Sequence, residues 1–317
     1  MIHIQGRILC AGNLVFDILV RPVDTPQYGT TIWVETIEQY LGGNASNTSY
    51  ALALLGVPVT VLGAVGRDEF GEHVLVRLAA AGVDLSAVER KEAPTASSVV
   101  LVASGGERCL LHCPGASRDA FTEPIDFAAG FATGAGHFHL ANPFAVAGMR
   151  RGAPETLRRA KAAGLTTSID TGWDPKAEWL AVLGPCLKHT DLLLVNEEEA
   201  RLLSGREEPR TAAAFLQNHG VTDVMVKLGE RGCWLFTGEG EIRSPGFEVE
   251  AIDTTGAGDC FAAGLLAALH HGADPIQAAR FANAVGALSS SNLGSVEGLL
   301  PHDATLSWIA RHPPRAN

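Results

Sequence analysis

Short apolar runs alternate along the chain with segments whose apolar residues recur at helical spacing. The apolar runs predict strands over Arg7–Ala11, Val59–Val65, Thr166–Asp170, Asp191–Val195 and Asp223–Leu228. The periodic segments predict helices over Ala45–Leu55, Phe70–Ala81, Pro154–Ala163, Gly258–His270 and Pro275–Ser289. Strands that alternate with helices are typical of an α/β fold, in which a mostly parallel sheet lies between layers of helices.

Two regions break this alternation, because each contains strand-like sequence with no helix beside it. Tyr28–Leu41 and Thr95–His112 are rich in Thr, Val and Ile, and the second region turns at Ser104–Glu107. We predict that strands within 28–41 and 95–113 form a small antiparallel sheet, here called the lid, that projects from the α/β body. No Pro- or Ser-rich linker divides residues 1–317, so a single domain is predicted.

Composition and charge exclude several classes of protein. Charged residues make up 19% and hydrophobic residues 46% of the chain, which excludes a disordered protein. The formal net charge of −11 disfavours binding to nucleic acids and to anionic membranes. The first residues lack the pattern of a signal peptide, so we expect a cytoplasmic protein. The six cysteines form no Cys-x-x-Cys pair, and neither a zinc site nor a disulfide framework is predicted.

The segment Asp253–Asp259 carries the clearest chemical signal. Gly256, Ala257 and Gly258 are small and precede an apolar helix, so their N–H groups can bind a phosphate at a helix N-terminus. Asp259, on the first turn, can accept a proton from a hydroxyl that attacks this phosphate. The spacing alone leaves open that Asp259 only favours the start of a helix. No Gly-Lys pair occurs in the chain, which excludes a Walker A loop.

Together with three other motifs, this segment resembles the signatures of the ribokinase-like (PfkB) carbohydrate kinases. The other matches are Gly42–Asn47 with its continuation Gly63–Gly71, Asn196–Ala200, and Val226–Gly232. They occur in the order found in that family and span about residues 8 to 298. The resemblance implies a ribokinase-like three-layer α/β fold with a lid. It also implies ATP-dependent phosphorylation of a hydroxyl, usually a primary alcohol of a sugar or nucleoside.

The resemblance also implies roles for individual residues. Asp259 would be the catalytic base, and the backbone of Gly256, Ala257 and Gly258 would form the anion hole. The residues that would contact the acceptor are Asp17, Gly42, Gly43, Asn47 and Asp259 itself. The residues that would contact the nucleotide are Asn196, Lys227, Gly229 and Asn283.

Two ion sites follow from the same resemblance. Asn196 and Glu199 would hold Mg²⁺, mostly through water, although the same residues could simply cap a helix. Asp253, Thr255 and Gly294 would lie at a site for a monovalent cation such as K⁺. Asp17 has an alternative as well, since an aspartate after a strand can close a turn.

The identity of the acceptor stays open. Ribokinases carry a lysine where Asn44 stands and an acidic residue near Ala141, which makes ribose doubtful. Asp170–Trp173 lacks the Asp-x-Asn-x-Arg pattern of many fructokinase-like and ketodeoxygluconate-like members. The residues kept as candidate acceptor contacts are His112, Trp33 and Trp173.

Three hypotheses therefore stand. The first is a sugar kinase, the second a nucleoside kinase on the same scaffold, and the third a non-catalytic descendant that binds sugar or nucleotide. Because a projecting sheet leaves open edges and an apolar face, we also expect a homodimer that pairs through the lid.

Overall fold

The computed structural model describes residues 2–315, which form an α/β structure with two sheets. The strands are β1 (Arg7–Ala11), β2 (Val15–Arg21), β3 (Thr36–Gly42), β4 (Val59–Gly66), β5 (Asp84–Lys91), β6 (Ala96–Val102), β7 (Arg108–Cys113), β8 (Ala135–Ala141), β9 (Thr166–Asp170), β10 (Leu192–Asn196), β11 (Asp223–Lys227), β12 (Cys233–Thr237) and β13 (Gly240–Ser244). The helices are α1 (Asn44–Leu54), α2 (Glu69–Ala80), α3 (Ala147–Ala162), α4 (Trp179–Leu187), α5 (Glu197–Ser204), α6 (Pro209–Asn218), α7 (Ala257–His270), α8 (Pro275–Ser290) and α9 (His302–Arg311).

The larger sheet has nine strands in the order β13-β12-β11-β10-β9-β8-β1-β4-β5. The seven strands β11, β10, β9, β8, β1, β4 and β5 run parallel, whereas β12 and β13 extend the sheet as an antiparallel hairpin. The chain first builds outward from β1 through β4 and β5, and then returns to add β8 on the other side. Ligands of open α/β sheets bind at the carboxyl ends of the strands beside such a reversal of strand order.

Apolar side chains cover both faces of the nine-stranded sheet. In β1, for example, Ile8 and Cys10 join the core with α1, α2, α7 and α8, while Leu9 and Ala11 join the core with α3 to α6. Successive side chains of a strand point to opposite faces, so a strand buried on both faces is apolar throughout. This explains the continuous apolar runs from which the strands were predicted.

The smaller sheet is the lid, with strand order β3-β2-β6-β7. Strand β2 pairs antiparallel with β3 and parallel with β6, and β6 pairs antiparallel with β7. The ring of Phe16 on β2 stacks on Phe70 of α2 with ring centroids 4.2 Å apart, which attaches one end of the lid to the body. The lid is therefore a mixed sheet, not the purely antiparallel one that was predicted.

The predicted lid strands were partly wrong. Residues 28–35 are not a strand, because the ladder with β2 begins only where Thr36 meets Arg21. Tyr28 and Trp33 are exposed in that segment, and Gly29 turns the chain there with a φ of 80°. The predicted hairpin across Ser104–Glu107 agrees with β6 and β7. Strand β2 itself was not predicted.

The start of α3 also differs from the prediction, which began this helix at Pro154. The helix begins at Ala147 and contains Pro154 in its interior. The turn before the proline buries Met149 in the core, and Gly148 lies so close to Phe121 that a Cβ there would be 2.3 Å from its carbonyl oxygen. Tertiary packing thus outweighs the preference of proline for the first helical turn.

Within residues 2–315, no helix has the length and apolar character needed to cross a membrane. Whether the chain forms a single domain stays a prediction.

Candidate active site

Asp259 lies in a buried position where helices α1 and α7 meet. Helix α7 begins after Gly256, whose φ of 74° is left-handed, and this turn places Asp259 on the first turn of the helix. The amide of Asn44 donates to one carboxylate oxygen at 2.8 Å, and the amide of Asn47 donates to the other at 2.9 Å. Both amides come from α1, so one helix start fixes the carboxylate of another.

The surroundings of Asp259 change its acidity. Burial raises its pKa to about 7, and the charge of Asp170 acts in the same direction, although Asn44, Asn47 and Lys227 oppose the shift. A carboxylate with this pKa is a stronger base than an exposed one. It can therefore accept a proton near neutral pH, which is the property required of a general base.

The residues predicted to form the anion hole surround the start of α7. A Cβ on Gly256 would lie 2.5 Å from the Cβ of Ser295, so only glycine fits at this position of the loop. A Cβ on Gly258 would lie 3.3 Å from the ammonium nitrogen of Lys227. The first N–H groups of a helix lack partners in the helix itself and can bind an anion. A cationic side chain thus stands beside a helix N-terminus.

Lys227 is held by a buried ion pair. Lys227 is the last residue of β11, and its ammonium nitrogen lies 2.8 and 2.9 Å from the two carboxylate oxygens of Asp170. Asp170 is the last residue of β9, which is separated from β11 by one strand, β10. Burial opposes its charge, yet the charges of Asp170 and Glu199 raise the pKa of Lys227. Lys227 therefore stays protonated in a position fixed by two strand ends.

A cavity of about 300 Å³ opens beside this helix start. Lys227, Gly229 and Asn283, which were predicted to contact the nucleotide, line it together with Ala257 and Gly258. The amide of Asn283 donates to the carbonyl oxygens of Ser244 and Pro245 and so ties α8 to the end of β13. No residue of strands β2, β3, β6 or β7 is among those that line the cavity within the described chain.

Asn196 and Glu199 form a reciprocal cap at the start of α5. The Asn196 side chain accepts from the Glu199 N–H at 2.8 Å, and the Glu199 carboxylate accepts from the Asn196 N–H at 2.8 Å. The same Glu199 oxygen accepts from the Thr171 hydroxyl, and burial raises the pKa of Glu199. The helix cap named as the alternative is thus present, and Asn196 is not among the residues that line the cavity.

These residues fit a hydrated Mg²⁺ better than a fully protein-ligated one. Among residues 2–315, no three His, Cys, Asp or Glu side chains form a cluster suited to a metal ion. Mg²⁺ commonly keeps several waters and binds through one or two carboxylates and substrate phosphates. Glu199 can supply such a carboxylate. The charges of Lys227 and Asp170 both act on its pKa, in opposite directions.

The predicted acceptor residues lie where the lid meets α1. Gly42 pairs with Val15 across the ladder, and the Asp17 side chain leans over it, since a Cβ on Gly42 would be 2.1 Å from the Asp17 carboxylate. Gly43 has a φ of 92° and begins α1 with no room for a side chain. Burial raises the pKa of Asp17 to about 6, with Ser98 opposing and Asp253 adding to the shift. One Asp17 oxygen is buried without a hydrogen-bond partner among residues 2–315.

The three side chains kept as candidate acceptor contacts lie in different places. His112 on β7 bonds Ser98 at 3.2 Å, and Ser98 is the cross-strand neighbour of Asp17, so His112 lies on the face of the lid that carries Asp17. Trp33 is 90% exposed in the segment before β3. Trp173 packs edge to face against Trp179 and is 58% exposed. The structure therefore brings His112, but not Trp33, beside Asp17.

The predicted monovalent cation site contains a cation from the chain itself. The Asp253 carboxylate accepts from the N–H groups of Thr255 at 2.8 Å and Gly294 at 3.1 Å. Arg108, at the start of β7, reaches the same carboxylate at 2.6 Å and bonds the Thr255 hydroxyl. Its guanidinium thus supplies a positive charge at two of the three predicted residues, and binding of K⁺ stays a prediction.

Residues 9–302 match the profile described as pfkB family carbohydrate kinase. The chain belongs to this family. It is therefore a carbohydrate kinase, and the predicted three-layer fold and class of enzyme are confirmed.

Relatives of this carbohydrate kinase differ in their acceptors. It is 34% identical over 294 residues to the ATP-dependent ribose-1-phosphate kinase of Halopiger xanaduensis, covering 91% of this chain and 93% of the relative. It is 27% identical over 295 residues to the 2-dehydro-3-deoxygluconokinase of Bacillus subtilis, covering 90% and 91%.

A solved structure supports the fold over nearly the whole kinase. A putative ribokinase II from E. coli in complex with ATP and Mg²⁺ superimposes with a TM-score of 0.87 at 26% identity. The match covers 97% of this chain and 100% of that chain.

Four polar residues of the kinase site were not assigned a role from the sequence. Asn44 bonds Asp259, Asn142 bonds Asn44 at 3.1 Å, Asp170 pairs with Lys227, and Arg108 pairs with Asp253. Asn142 and Asp170 lie at the ends of the adjacent strands β8 and β9, so the rule that sites lie at the carboxyl ends of strands could have found them. Arg108 gives no such signal, because its position depends on how the lid folds over the body.

Proposed function

We propose that this kinase transfers the γ-phosphoryl group of ATP to a hydroxyl, most simply a primary alcohol, of a small sugar, with Asp259 as the general base. The observation that carries this proposal is the Asp259 carboxylate: it is buried, oriented by the amides of Asn44 and Asn47, and has a pKa of about 7. It stands one helical turn from the N–H groups of Gly256 and Ala257.

On the phosphate side, the chain provides orientation and positive charge. The N–H groups of Gly256, Ala257 and Gly258 bind the transferring phosphoryl group, and Lys227, fixed by Asp170, lies beside Gly258. Mg²⁺, when bound to the ATP phosphates, neutralises their charge, and Asn196 and Glu199 hold its water shell. Phosphoryl transfer needs such positioning and charge stabilisation more than covalent help.

On the acceptor side, the sugar lies under the lid between Asp17 and Asp259. The unpartnered oxygen of Asp17 accepts from non-reacting hydroxyls, while Gly42 and Gly43 let the sugar approach the backbone. Asn47 bonds Asp259 through its amide nitrogen, and its amide oxygen is buried without a hydrogen-bond partner among residues 2–315. As the attacking hydroxyl forms its bond to phosphorus, Asp259 takes its proton.

One experiment tests the proposal and narrows the acceptor. ADP release is measured with Mg²⁺–ATP and a panel of neutral sugars, ribose 1-phosphate, 2-dehydro-3-deoxygluconate and nucleosides. The sugar phosphate and sugar acid belong in the panel because relatives carry their names. Acceptor-dependent turnover with a sugar supports the proposal. Turnover with nucleosides alone would favour the nucleoside kinase instead, and no turnover with any compound would contradict a kinase with this class of acceptor.

We also propose a homodimer that pairs through the lid. On the face of the lid opposite Asp17, Ile37 is 66% and Leu111 is 58% exposed, and β3 and β7 are open edges of their sheet. Pairing would cover this apolar surface.

A further inference from the structure

The lid brings an arginine to the loop that leads into the anion hole. Arg108 is the first residue of β7, just after the turn at the tip of the lid. It contacts Asp253 and Thr255, and Thr255 directly precedes Gly256. The acceptor residue Asp17 lies on β2 of the same four-stranded sheet, so one element carries both groups.

The guanidinium of Arg108 is held by one of its three nitrogens. Nη1 makes both the contact to Asp253 and the contact to Thr255. Asp253 is itself fixed, since its side chain is 3% exposed and accepts two backbone N–H groups. Nε and Nη2 make no hydrogen bond to any residue between 2 and 315. Because the guanidinium is planar, the edge formed by Nε and Nη2 keeps two donors free for a ligand.

Negative charge dominates the surroundings of the anion hole before any phosphate binds. Asp170, Glu199, Asp253 and Asp259 are all buried there. The cations that contact this group of residues are Lys227, which is paired with Asp170, and Arg108. A phosphate that enters adds more negative charge, and a guanidinium beside the anion hole can offset this charge through charge-assisted hydrogen bonds.

We propose that Arg108 is a further catalytic residue, delivered by the lid, whose free guanidinium edge binds the γ-phosphoryl group of ATP during transfer. This rests on the proposed function, because that function places the phosphoryl group at Gly256–Gly258. In the loose transition state, charge lies on the three equatorial phosphoryl oxygens, and two parallel N–H donors stabilise it. One sheet therefore carries both the proposed acceptor residue Asp17 and the proposed phosphoryl contact Arg108.

Binding measurements without acceptor test the contact independently of turnover. Arg108→Ala and Arg108→Lys are compared with wild type for the Kd of ATP and of ADP. We expect Arg108→Ala to raise the Kd of ATP at least about tenfold and to leave the Kd of ADP unchanged, since only ATP places a phosphate at the anion hole. Arg108→Lys keeps the positive charge but loses the pair of parallel N–H donors, so its Kd for ATP should lie between those of wild type and Arg108→Ala. Arg21→Ala is the matched control, an arginine of the lid that pairs instead with Glu38 and Thr36. Equal losses for ATP and ADP would overturn the proposal.

Kinetics provide the second measurement, with an acceptor found in the panel above. We expect Arg108→Ala to lower kcat by about 10³ with every acceptor, the low end of what removal of an arginine from a phosphoryl-transfer site costs. A loss confined to KM of anionic acceptors would mean that Arg108 binds the sugar instead, and would overturn the proposal.

A double variant separates contact with phosphate from simple neutralisation of Asp253. Arg108→Ala leaves the Asp253 carboxylate unpaired, which would by itself repel phosphate. Arg108→Ala combined with Asp253→Asn removes both charges. If the double variant stays as slow as Arg108→Ala, Arg108 acts on the phosphoryl group. Recovery of kcat would mean that Arg108 only neutralises the Asp253 carboxylate, and would overturn the proposal. If wild type turns over no acceptor, the proposed function fails, whereas the ratio of ATP to ADP affinity still tests Arg108.

Discussion

The two sheets of this kinase differ in what covers them. The nine-stranded sheet is buried on both faces, and its strand ends hold Asp170, Asn196 and Lys227 by ion pairs and caps. The four-stranded lid has an edge strand, β7, that is exposed along most of its length, and its outer face carries Ile37 and Leu111.

This difference separates two tasks of the enzyme. The phosphate site requires groups that are fixed before the substrate arrives, because preorganised charge is what stabilises the transition state. The acceptor site requires a cover that opens for the sugar and excludes water once closed. A buried sheet suits the first task and a projecting sheet suits the second.

The largest expected effect tests the fixed region. Asp259→Asn keeps the size of the side chain and part of its hydrogen bonding, but it cannot accept the proton. We expect kcat to fall by about 10²–10⁴ with the KM for ATP nearly unchanged. Steady-state kinetics and a thermal melt are measured on the same preparation.

Asp303→Asn is the matched control for this change, since Asp303 also lies in the first turn of a helix but its side chain is 99% exposed. An Asp259→Asn enzyme that keeps more than about a tenth of the wild-type kcat would show that Asp259 only supports the helix start.

A smaller effect is expected from the lid. Asp17→Ala removes the carboxylate that we propose accepts from non-reacting hydroxyls of the sugar. The loss of a charged hydrogen bond corresponds to about 1.5–3 kcal/mol, so the acceptor KM should rise about tenfold to hundredfold while kcat changes little. Asp24→Ala, which affects an exposed carboxylate bonded to Ser104 at the lid turn, serves as the control. An unchanged acceptor KM in Asp17→Ala would mean that Asp17 closes a turn and no more.

The dependence of the rate on pH should report mainly on the buried region. Asp259 acts as a base in its ionised form, and its pKa of about 7 lies above that of Asp17, about 6. The rate should therefore fall as the pH drops through 7, by about fivefold from pH 7 to pH 6, because the protonated carboxyl cannot accept a proton. The profile of kcat/KM against pH measures this, and a flat profile between pH 6 and 8 would contradict the assignment.

The smallest effect on turnover is expected at the outer face of the lid. Leu111→Glu places a charge on the apolar surface without touching Asp17 or Arg108. We expect it to convert a dimer to a monomer, measured by light scattering at micromolar concentration, with a modest change in kcat. A wild-type monomer under the same conditions would rule out pairing through the lid.

Sequence patterns predicted the buried sheet well and the lid poorly. Strands β1 and β9 match their predicted bounds and are buried on both faces, although only β1 is a mostly apolar run and β9 has the sequence Thr-Thr-Ser-Ile-Asp. Strand β2 was missed because Asp17 interrupts its apolar residues: Asp17 faces the candidate acceptor site, whereas Phe16, on the opposite face, packs on α2. Residues 28–35 have strand-forming composition but no partner strand, and composition cannot reveal a missing partner.

The candidate site shows the same division. The segment Gly256–Asp259 could be interpreted from sequence because its residues act through local geometry at one helix start. The pairs Arg108–Asp253 and Asn44–Asp259 join residues 145 and 215 positions apart, and their chemistry depends on tertiary contacts that no local pattern contains.

The nucleotide cavity has a kinetic consequence of its own. Since no described residue of the lid strands lines it, ATP can enter and ADP can leave by a route that does not require the lid to move. In the proposed function the sugar has no such freedom, because its space would lie between the lid and α1. On the proposed function, the two substrates would therefore use separate routes. ATP could bind before or after the sugar, and ADP could leave before the phosphorylated sugar, whose release would require the lid to open.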